Sequence, residues 1–446
     1  MQCVGNVTAL ETPHDLSLAS SHFLLTNRID EFREMTAAKE KSRLVVFDVE
    51  GVLIPKNRFF FEAARSVGLS KLIKVLFFGF LYEAGILRLE SVLKRLFMEI
   101  KGIKIETLLA IFDKIQSASY IENIFSQIKA RNCKIALISS GLPSFIVKRL
   151  GDMVGADYAY GIEVETENDA LTGRISGDAI EPKGKFTILS KILTAEGLSL
   201  SDCIVVADDR NNRCIFLPEM LKIGFNPDFV LRVKADRVVN SKLSGILPII
   251  DGTPAKRSFP SANDFLREDI HAAGFFMPLI ASLIGVPIVG FAIFAIAVVY
   301  TVSELWRLDG KSLPVISAVT RHAASQSELI GFAAAPLYFA GGILFTLVVF
   351  PHPASYAAIA MFCFGDSAAS LFGGLFSKPL PFNKGKTWEG SLAGLFFAFL
   401  AGTFFVNPLL AFVGAAVAMT VEVLPLPVND NILIPIITGA VLTLLI

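Results

Sequence analysis

The sequence predicts an α/β domain built on a parallel, Rossmann-like sheet, followed by an all-α polytopic membrane region of about seven spans. Three observations carry this reading. Short β-branched runs at 43–47 (RLVVF), 134–138 (KIALI) and 203–207 (CIVVA) each end in a polar cluster. That is the pattern of buried parallel strands with chemistry at their C-terminal ends. Only six of the 41 lysines and arginines lie from Asp269 onward: Arg307, Lys311, Arg321, Lys378, Lys384 and Lys386. With 53% hydrophobic residues and 38 Phe in 446 positions, the chain is too apolar for an ordinary soluble protein, and the apolar excess sits in the charge-poor half.

Taken in order, residues 1–42 are polar with a charged end and lack the apolar core and cleavage pattern of a signal peptide, so they are expected to form a loosely ordered lead-in. An α/β domain is expected over 43–250. After the first strand comes Asp48-Val49-Glu50-Gly51, and from about 56 to 132 the spacing is helical with no strand signal. Within that insert, Leu72–Leu87 is strongly apolar around Val75–Leu81, which fits either packing in a helix bundle or a face turned toward a membrane. The second strand ends in Ser139-Ser140-Gly141, Gly161–Gly177 carries hairpin signals, and a helix is expected over 182–195, beginning with Lys183. The third strand ends in Asp208-Asp209-Arg210-Asn211-Asn212. Residues 251–265 have the Pro, Ser and basic character of a linker, and 266–446 form the membrane region.

Net charge is zero, which leaves no electrostatic footprint for nucleic acid. Five cysteines (Cys3, Cys133, Cys203, Cys214 and Cys363) show no metal-ligand spacing, which fits a reducing compartment without a disulfide framework.

Asp48, Ser139, Lys183 and Asp208, in that order on three strand ends and a helix start, resemble the haloacid dehalogenase superfamily, and most closely its phosphoserine-phosphatase-like branch, over about Leu44–Ala235. The resemblance implies a helical cap and a Mg²⁺-dependent phosphomonoesterase. Asp48 would be the nucleophile that forms an aspartyl-phosphate. Ser139 would bind a phosphoryl oxygen, and Lys183 would hold negative charge. Mg²⁺ would lie among Asp48, the Glu50 carbonyl and Asp208, supported by Asn212. Two departures stand out. Glu50 occupies the general-acid position where the family has Asp, and Asn212 replaces an acidic residue.

Apolar runs lie at about 270–284, 286–303, 329–350, 354–374, 390–406, 408–426 and 432–446. A span takes about 20 apolar residues, so seven spans are expected, with six as the alternative. Parity then places all six basic residues on the side of the α/β domain, which the positive-inside rule makes cytoplasmic. Glu304 and Arg307 form either a structural pair one helical turn apart or part of a site at that face. Asp366 lies inside an apolar run, and a carboxylate there marks a functional site by default. Glycines Gly373 and Gly374, a loop bearing Lys378, Lys384 and Lys386, and Glu389-Gly390 follow it. Carboxylate, glycines and lysines are the parts of a metal–nucleotide site.

The order Gly365-Asp366, Gly373-Gly374, the basic loop and Lys-Thr-x-Glu-Gly-Ser resembles the CTP-dependent polyprenol kinases, the dolichol and phytol kinase family. It implies CTP as phosphate donor and a membrane-embedded lipid alcohol as acceptor. Glu422 and Asp430-Asn431 would supply a second acidic motif for metal or acceptor hydroxyl. The expected whole is a bifunctional integral membrane enzyme, its phosphatase-like domain cytoplasmic, acting on a lipid alcohol and on a phosphorylated small molecule or lipid. The alternatives are a CTP-dependent cytidylyltransferase of a lipid phosphate, or a membrane protein with an inert phosphatase-like regulatory module.

Overall fold

The computed structural model describes residues 42–83, 87–115, 118–240, 242–252, 260–308, 310–323, 332–375, 378–426 and 428–446. The lead-in at 1–41 and the middle of the linker lie outside the described residues.

The N-terminal part is a Rossmann-like sheet of seven strands. β1 (Arg43–Phe47) leads into five helices: α1 (Arg58–Val67), α2 (Leu69–Glu83), α3 (Leu89–Glu99), α4 (Ile105–Ile115) and α5 (Ala118–Lys129). Then come β2 (Cys133–Pro143), α6 (Ser144–Val154), the hairpin β3 (Tyr158–Glu167) and β4 (Ala170–Ser176), and α7 (Gly184–Glu196). β5 (Cys203–Ala207), β6 (Leu221–Phe225), α8 (Phe229–Lys234), β7 (Arg237–Val239) and α9 (Ile246–Ile250) complete it. The order is β4-β3-β2-β1-β5-β6-β7, with every pairing parallel except β3–β4.

The expected strands and hairpin are present, and the sequence missed β6 and β7. A five-residue strand containing Gly224 and a three-residue one carry too little periodicity to be read. β1 lies between β2 and β5, with Phe47 level with Leu137 and Val206. This register brings Asp48, Ser139 and Asp208 to one end of three adjacent strands. β1 and β5 are buried along almost their whole length, as continuous apolar runs in a covered parallel sheet must be.

The helical insert packs as a cap through Phe60, Phe97 and their neighbours, whose rings meet edge to face at 5.2 Å. The apolar α2 divides its faces. Val75 and Tyr82 are buried, while Leu69, Ile73, Leu76 and Phe77 are exposed. Packing in the bundle is thus what one face does, and the other face carries exposed apolar side chains.

The C-terminal part is helical: α10 (Ala262–Ala273), α11 (Phe276–Ile284), α12 (Val286–Leu308), α13 (Pro314–Ala323), α14 (Ala335–Val349), α15 (Ala354–Leu375), α16 (Trp388–Gly402), α17 (Pro408–Val423) and α18 (Asp430–Leu445). Two of the described helices, α12 with 23 residues and α15 with 22, are long and apolar enough to cross a membrane. The count of seven is not reached by length. α14, α16, α17 and α18 have 15 or 16 residues, which at about 1.5 Å per residue falls short of a ~30 Å hydrocarbon core. The run at 270–284 is interrupted at Gly274, leaving α11 with nine residues. α15 is the hub, with 61% of its apolar stretch buried against its neighbours, whereas only 22% of that of α12 is covered. Glu304 and Arg307 are a structural pair. The guanidinium donates to both carboxylate oxygens at 2.9 and 2.7 Å, and the Ala333 amide donates to Oε2 at 3.1 Å.

Candidate active site

Asp48 ends β1 almost fully buried, its Oδ1 accepting from the Val49 amide at 2.8 Å. The cation beside it is Lys185, with Nζ 2.9 Å from Asp48 Oδ1 and the side chain 3% exposed. This corrects the assignment of Lys183. The helix starts at Gly184, leaving Lys183 as its exposed N-cap. Two residues on, the backbone has turned inward. Gly184 itself is demanded by crowding, since a Cβ there would lie 1.5 Å from the Asp178 carbonyl oxygen.

Asn212 is fully buried and committed. Its amide donates to Asp48 Oδ2 and to Asp209 Oδ1, and its Oδ1 accepts from Lys185 at 2.7 Å. It therefore positions the nucleophile and the lysine rather than standing among the metal ligands, which is a second correction. The acid that joins Asp48 and Asp208 is Asp209. One carboxylate oxygen from each of the three lies within 4.8 Å of the others. The sequence reading passed over Asp209 because two adjacent acids on a short turn cannot be ranked without knowing which way each points.

The charge balance explains the local electrostatics. Burial and the neighbouring Asp209 carboxylate push Asp208 well above the usual carboxylate range. Burial would raise Asp209 too, but Lys56 and Lys185 outweigh it and hold that carboxyl low. Lys56 Nζ lies 3.0 Å from Asp209 Oδ2 and 3.8 Å from Asp208 Oδ2. Burial opposes the charge on Lys185, yet Asp48 reverses this and keeps the lysine protonated. Asp208 Oδ1 is buried without a hydrogen-bond partner. An orphaned oxygen among three acids is the chemistry of a divalent-cation site, so Asp48, Asp208 and Asp209 fit Mg²⁺.

Glu50 is half-buried, and burial followed by the Asp48 charge pushes its carboxyl up to about 7. Its extra methylene is accommodated by Gly141, where a Cβ would come within 1.7 Å of Glu50 Oε2. Gly141→Ala should therefore displace this carboxyl. A loss of about 10- to 100-fold in phosphomonoesterase kcat, with the melting temperature little changed, is the expected outcome in steady-state assays. Ser139 is fully buried, its Oγ accepting from the Gly141 and Leu142 amides at 3.1 and 2.9 Å. Gly51, at φ 84°, is fixed by Asp208, since a Cβ would lie 2.0 Å from Oδ2. The cap closes on the site through Tyr82, whose hydroxyl donates to Asp209 Oδ2 at 3.3 Å. Arg210 lies over its ring at 4.8 Å. Lys56 and Tyr82 were not legible as site residues, because both come from the cap and meet Asp209 only on folding.

The second set of expected residues separates into three groups. Asp366, 8% exposed on α15, faces His271 of α10, with Nδ1 to Oδ2 at 3.3 Å. Glu268 joins them within 4.8 Å and is paired with Arg267 at 2.9 Å. Lys386 reaches Glu422 at 2.5 Å and Asp430 at 3.5 Å. Beside it is a cavity of about 280 Å³ whose lining includes Arg267, Gly373, Gly374, Gly390 and Glu422. Thr387 caps α16, its Oγ1 accepting from the Gly390 amide at 3.2 Å, and Glu389 Oε2 is buried without a partner.

Other residues of the set do different work. Gly365 is a helix-crossing residue, where a Cβ would lie 2.8 Å from Met419 Cε. Lys378 is exposed, and its carbonyl accepts from the Trp388 amide at 3.2 Å. Lys384 is spent on the α/β part, donating to the Ala235 carbonyl at 2.8 Å. Asn431 sits in the first turn of α18, its amide donating to Asn429 Oδ1 at 3.0 Å. A basic loop thus contains one lysine turned toward the acids, Lys386, and two that are not. His271, Glu268 and Arg267 were missed because they stand at the start of the expected membrane region and meet Asp366 only on folding.

Residues 45–211 match the family described as haloacid dehalogenase-like hydrolase. Over 220 residues the chain is 31% identical to a phosphoserine phosphatase of Archaeoglobus fulgidus, covering 48% of this chain and 61% of that protein. Over 145 residues it is 31% identical to "Phytol kinase 1, chloroplastic" of Arabidopsis thaliana, covering 28% of this chain and 46% of that protein. The chain thus spans less than two thirds of the length of either relative. A solved structure described as a phospho-aspartyl intermediate analogue of phosphoserine phosphatase aligns at 26% identity and TM-score 0.43, covering 48% of this chain and 100% of that one.

Proposed function

We propose, from the premise that residues 45–211 form a haloacid dehalogenase, phosphoserine phosphatase-like domain, that the chain is a membrane enzyme with two phosphoryl-transfer centres. The first is a Mg²⁺-dependent phosphomonoesterase. The second is a CTP-dependent kinase of a lipid alcohol. The observation that carries the first is the Lys185–Asp48–Asn212 contact beside Asp208 and Asp209.

Asp48 Oδ attacks phosphorus while the bond to the leaving alkoxide breaks, and the Glu50 carboxyl gives that oxygen its proton. Glu50 then takes a proton from water as the water oxygen attacks the aspartyl-phosphate. Inorganic phosphate leaves and Asp48 is regenerated. Lys185 and the Ser139 hydroxyl hold the phosphoryl oxygens and their charge. Asp48, Asp208 and Asp209 would hold Mg²⁺, which would supply charge neutralisation between carboxylate and phosphate.

The kinase reading rests on the phytol kinase similarity, on Lys386 and Glu422 at a cavity lined by glycines, and on the buried Asp366 beside His271. Membrane embedding is supported by the length of α12 and α15 and by exposed apolar residues on α12 such as Phe291, Phe294 and Ile296. A cytoplasmic side for the α/β domain is supported by the six basic residues beyond Asp269.

The test is the full chain purified in detergent. A panel of phosphomonoesters should be hydrolysed with Mg²⁺, lose turnover with EDTA and regain it when Mg²⁺ is restored. Labelled CTP should transfer its γ-phosphate to a polyprenol. EDTA-insensitive hydrolysis would defeat the first centre. Transfer of CMP to a lipid phosphate would make the second a cytidylyltransferase.

A further inference from the structure

The phosphatase site opens on two cavities that share a wall. The inner one, about 50 Å³, holds Asp48, Lys185 and Asp209 at its floor. The outer one, about 420 Å³, lies between the cap and the end of α12, against Phe61, Val75, Leu76, Leu305, Leu308 and Phe332. Lys56, Asn57, Phe60, Gly79 and Leu96 line both, so the two cavities adjoin. Its volume is within the range of about 300–1,000 Å³ typical of small-molecule sites.

The polarity of the path is graded. Of the charged residues, Asp48, Glu50, Lys185 and Asp209 line the inner cavity alone, Lys56 lines both and lies 3.0 Å from Asp209, and Arg58 lines the outer cavity with its guanidinium 2.7 Å from Glu62. The apolar part of the inner lining is Phe60, Leu89, Val92, Leu93 and Leu96. The carboxylate and ammonium of an amino-acid phosphate would be desolvated there without partners, which is strongly unfavourable. An apolar chain would meet apolar walls and leave toward a helix long enough to cross a membrane.

We infer that the phosphatase centre acts on the phosphomonoester of a long apolar alcohol, with phosphate at Asp48 and chain in the outer cavity beside α12. This rests on the phosphomonoesterase reading above and names its substrate class. Water and the monoester give the free alcohol and inorganic phosphate, with no other reactant. The product alcohol is then an acceptor of the class the second centre would use, and that centre's product a substrate of the first.

Gly79 offers the test. It sits at the junction within α2, and nothing lies within 4 Å of a Cβ placed there. Alanine can therefore be introduced without a clash, and leucine adds three further carbons at the junction, at a helical position where glycine is the weaker former. kcat/KM is measured for butyl and octyl phosphate on the full chain and on Gly79→Leu and Gly79→Ala. Each methylene buried is worth about fourfold, so the wild-type octyl-to-butyl ratio should exceed about tenfold. Gly79→Ala should keep that ratio and Gly79→Leu should collapse it toward one. Detergent partitioning is common to all three proteins and cancels. A wild-type ratio near one, a ratio unchanged in a Gly79→Leu protein of normal melting temperature, or faster turnover of phosphoserine than of octyl phosphate overturns the inference.

If no monoester of any length is hydrolysed, the phosphomonoesterase reading fails separately. Chain binding is then read from thermal stabilisation by octylphosphonate against methylphosphonate. Stabilisation by the long ligand alone, abolished in Gly79→Leu, upholds it. Equal response to both sinks it.

Discussion

Asp48→Asn should lower phosphomonoester turnover by about 10³-fold or more while leaving the fold intact, because the amide keeps the shape but cannot form an acyl phosphate. Lys185→Met should be nearly as damaging and should also lower the melting temperature. It leaves Asp48 buried beside Asp208 and Asp209 without its 2.9 Å cation, and unpairing a buried charge costs about 3–5 kcal/mol. Lys183→Met, at the exposed N-cap two residues away, should leave turnover within about twofold of the parent. Steady-state assays on the three variants decide the assignment. Equal sensitivity at 183 and 185 would show that the contact at Asp48 is not what catalysis uses.

Asp366→Asn should remove lipid-alcohol phosphorylation by about 100-fold or more with phosphomonoester hydrolysis untouched, since the two sites share no residue. Phosphoryl transfer depends on positioning and on neutralising charge. Asp366 is a carboxylate 8% exposed within an apolar helix, facing His271 and close to Glu268. The lysines should divide. Lys386→Met should weaken nucleotide binding and also destabilise, because Glu422 at 2% exposure loses its ion pair. Lys384→Ala should alter the contact with Ala235 rather than affinity for CTP. Transfer of label from CTP to a polyprenol, beside ester hydrolysis in the same preparation, separates these outcomes. Kinase activity at the parent rate in Asp366→Asn would defeat the assignment.

What could be read in advance followed the strength of the local signal. Arg43–Phe47 and Cys203–Ala207 are unbroken apolar runs, and they became the strands expected. Asp48, Ser139 and Asp208 are tied to strand ends, so finding the strands placed them. Lys183 and Lys185 differ only in where the helix begins, a distinction set by the crowding of Gly184 against Asp178. Asp209, Lys56 and Tyr82 meet across nearly the whole domain in sequence, and no local pattern records such a meeting. In the C-terminal half, apolar runs marked where helices lie but not where they stop, since caps and glycines shortened several below spanning length.

The contact of Lys384 with Ala235 has a consequence for solubility. β7 is one of the two outermost strands of the sheet, and the hairpin-like loop that carries Lys384 rests against it, with a Cβ at Gly385 only 3.7 Å from Val238. An outermost strand is a template on which other chains can add, and proteins that avoid aggregation keep it covered. Here the guard belongs to the helical half. Cutting the chain between the two halves would remove that loop from the strand, so the sheet should associate with other chains more readily once the helical part is gone.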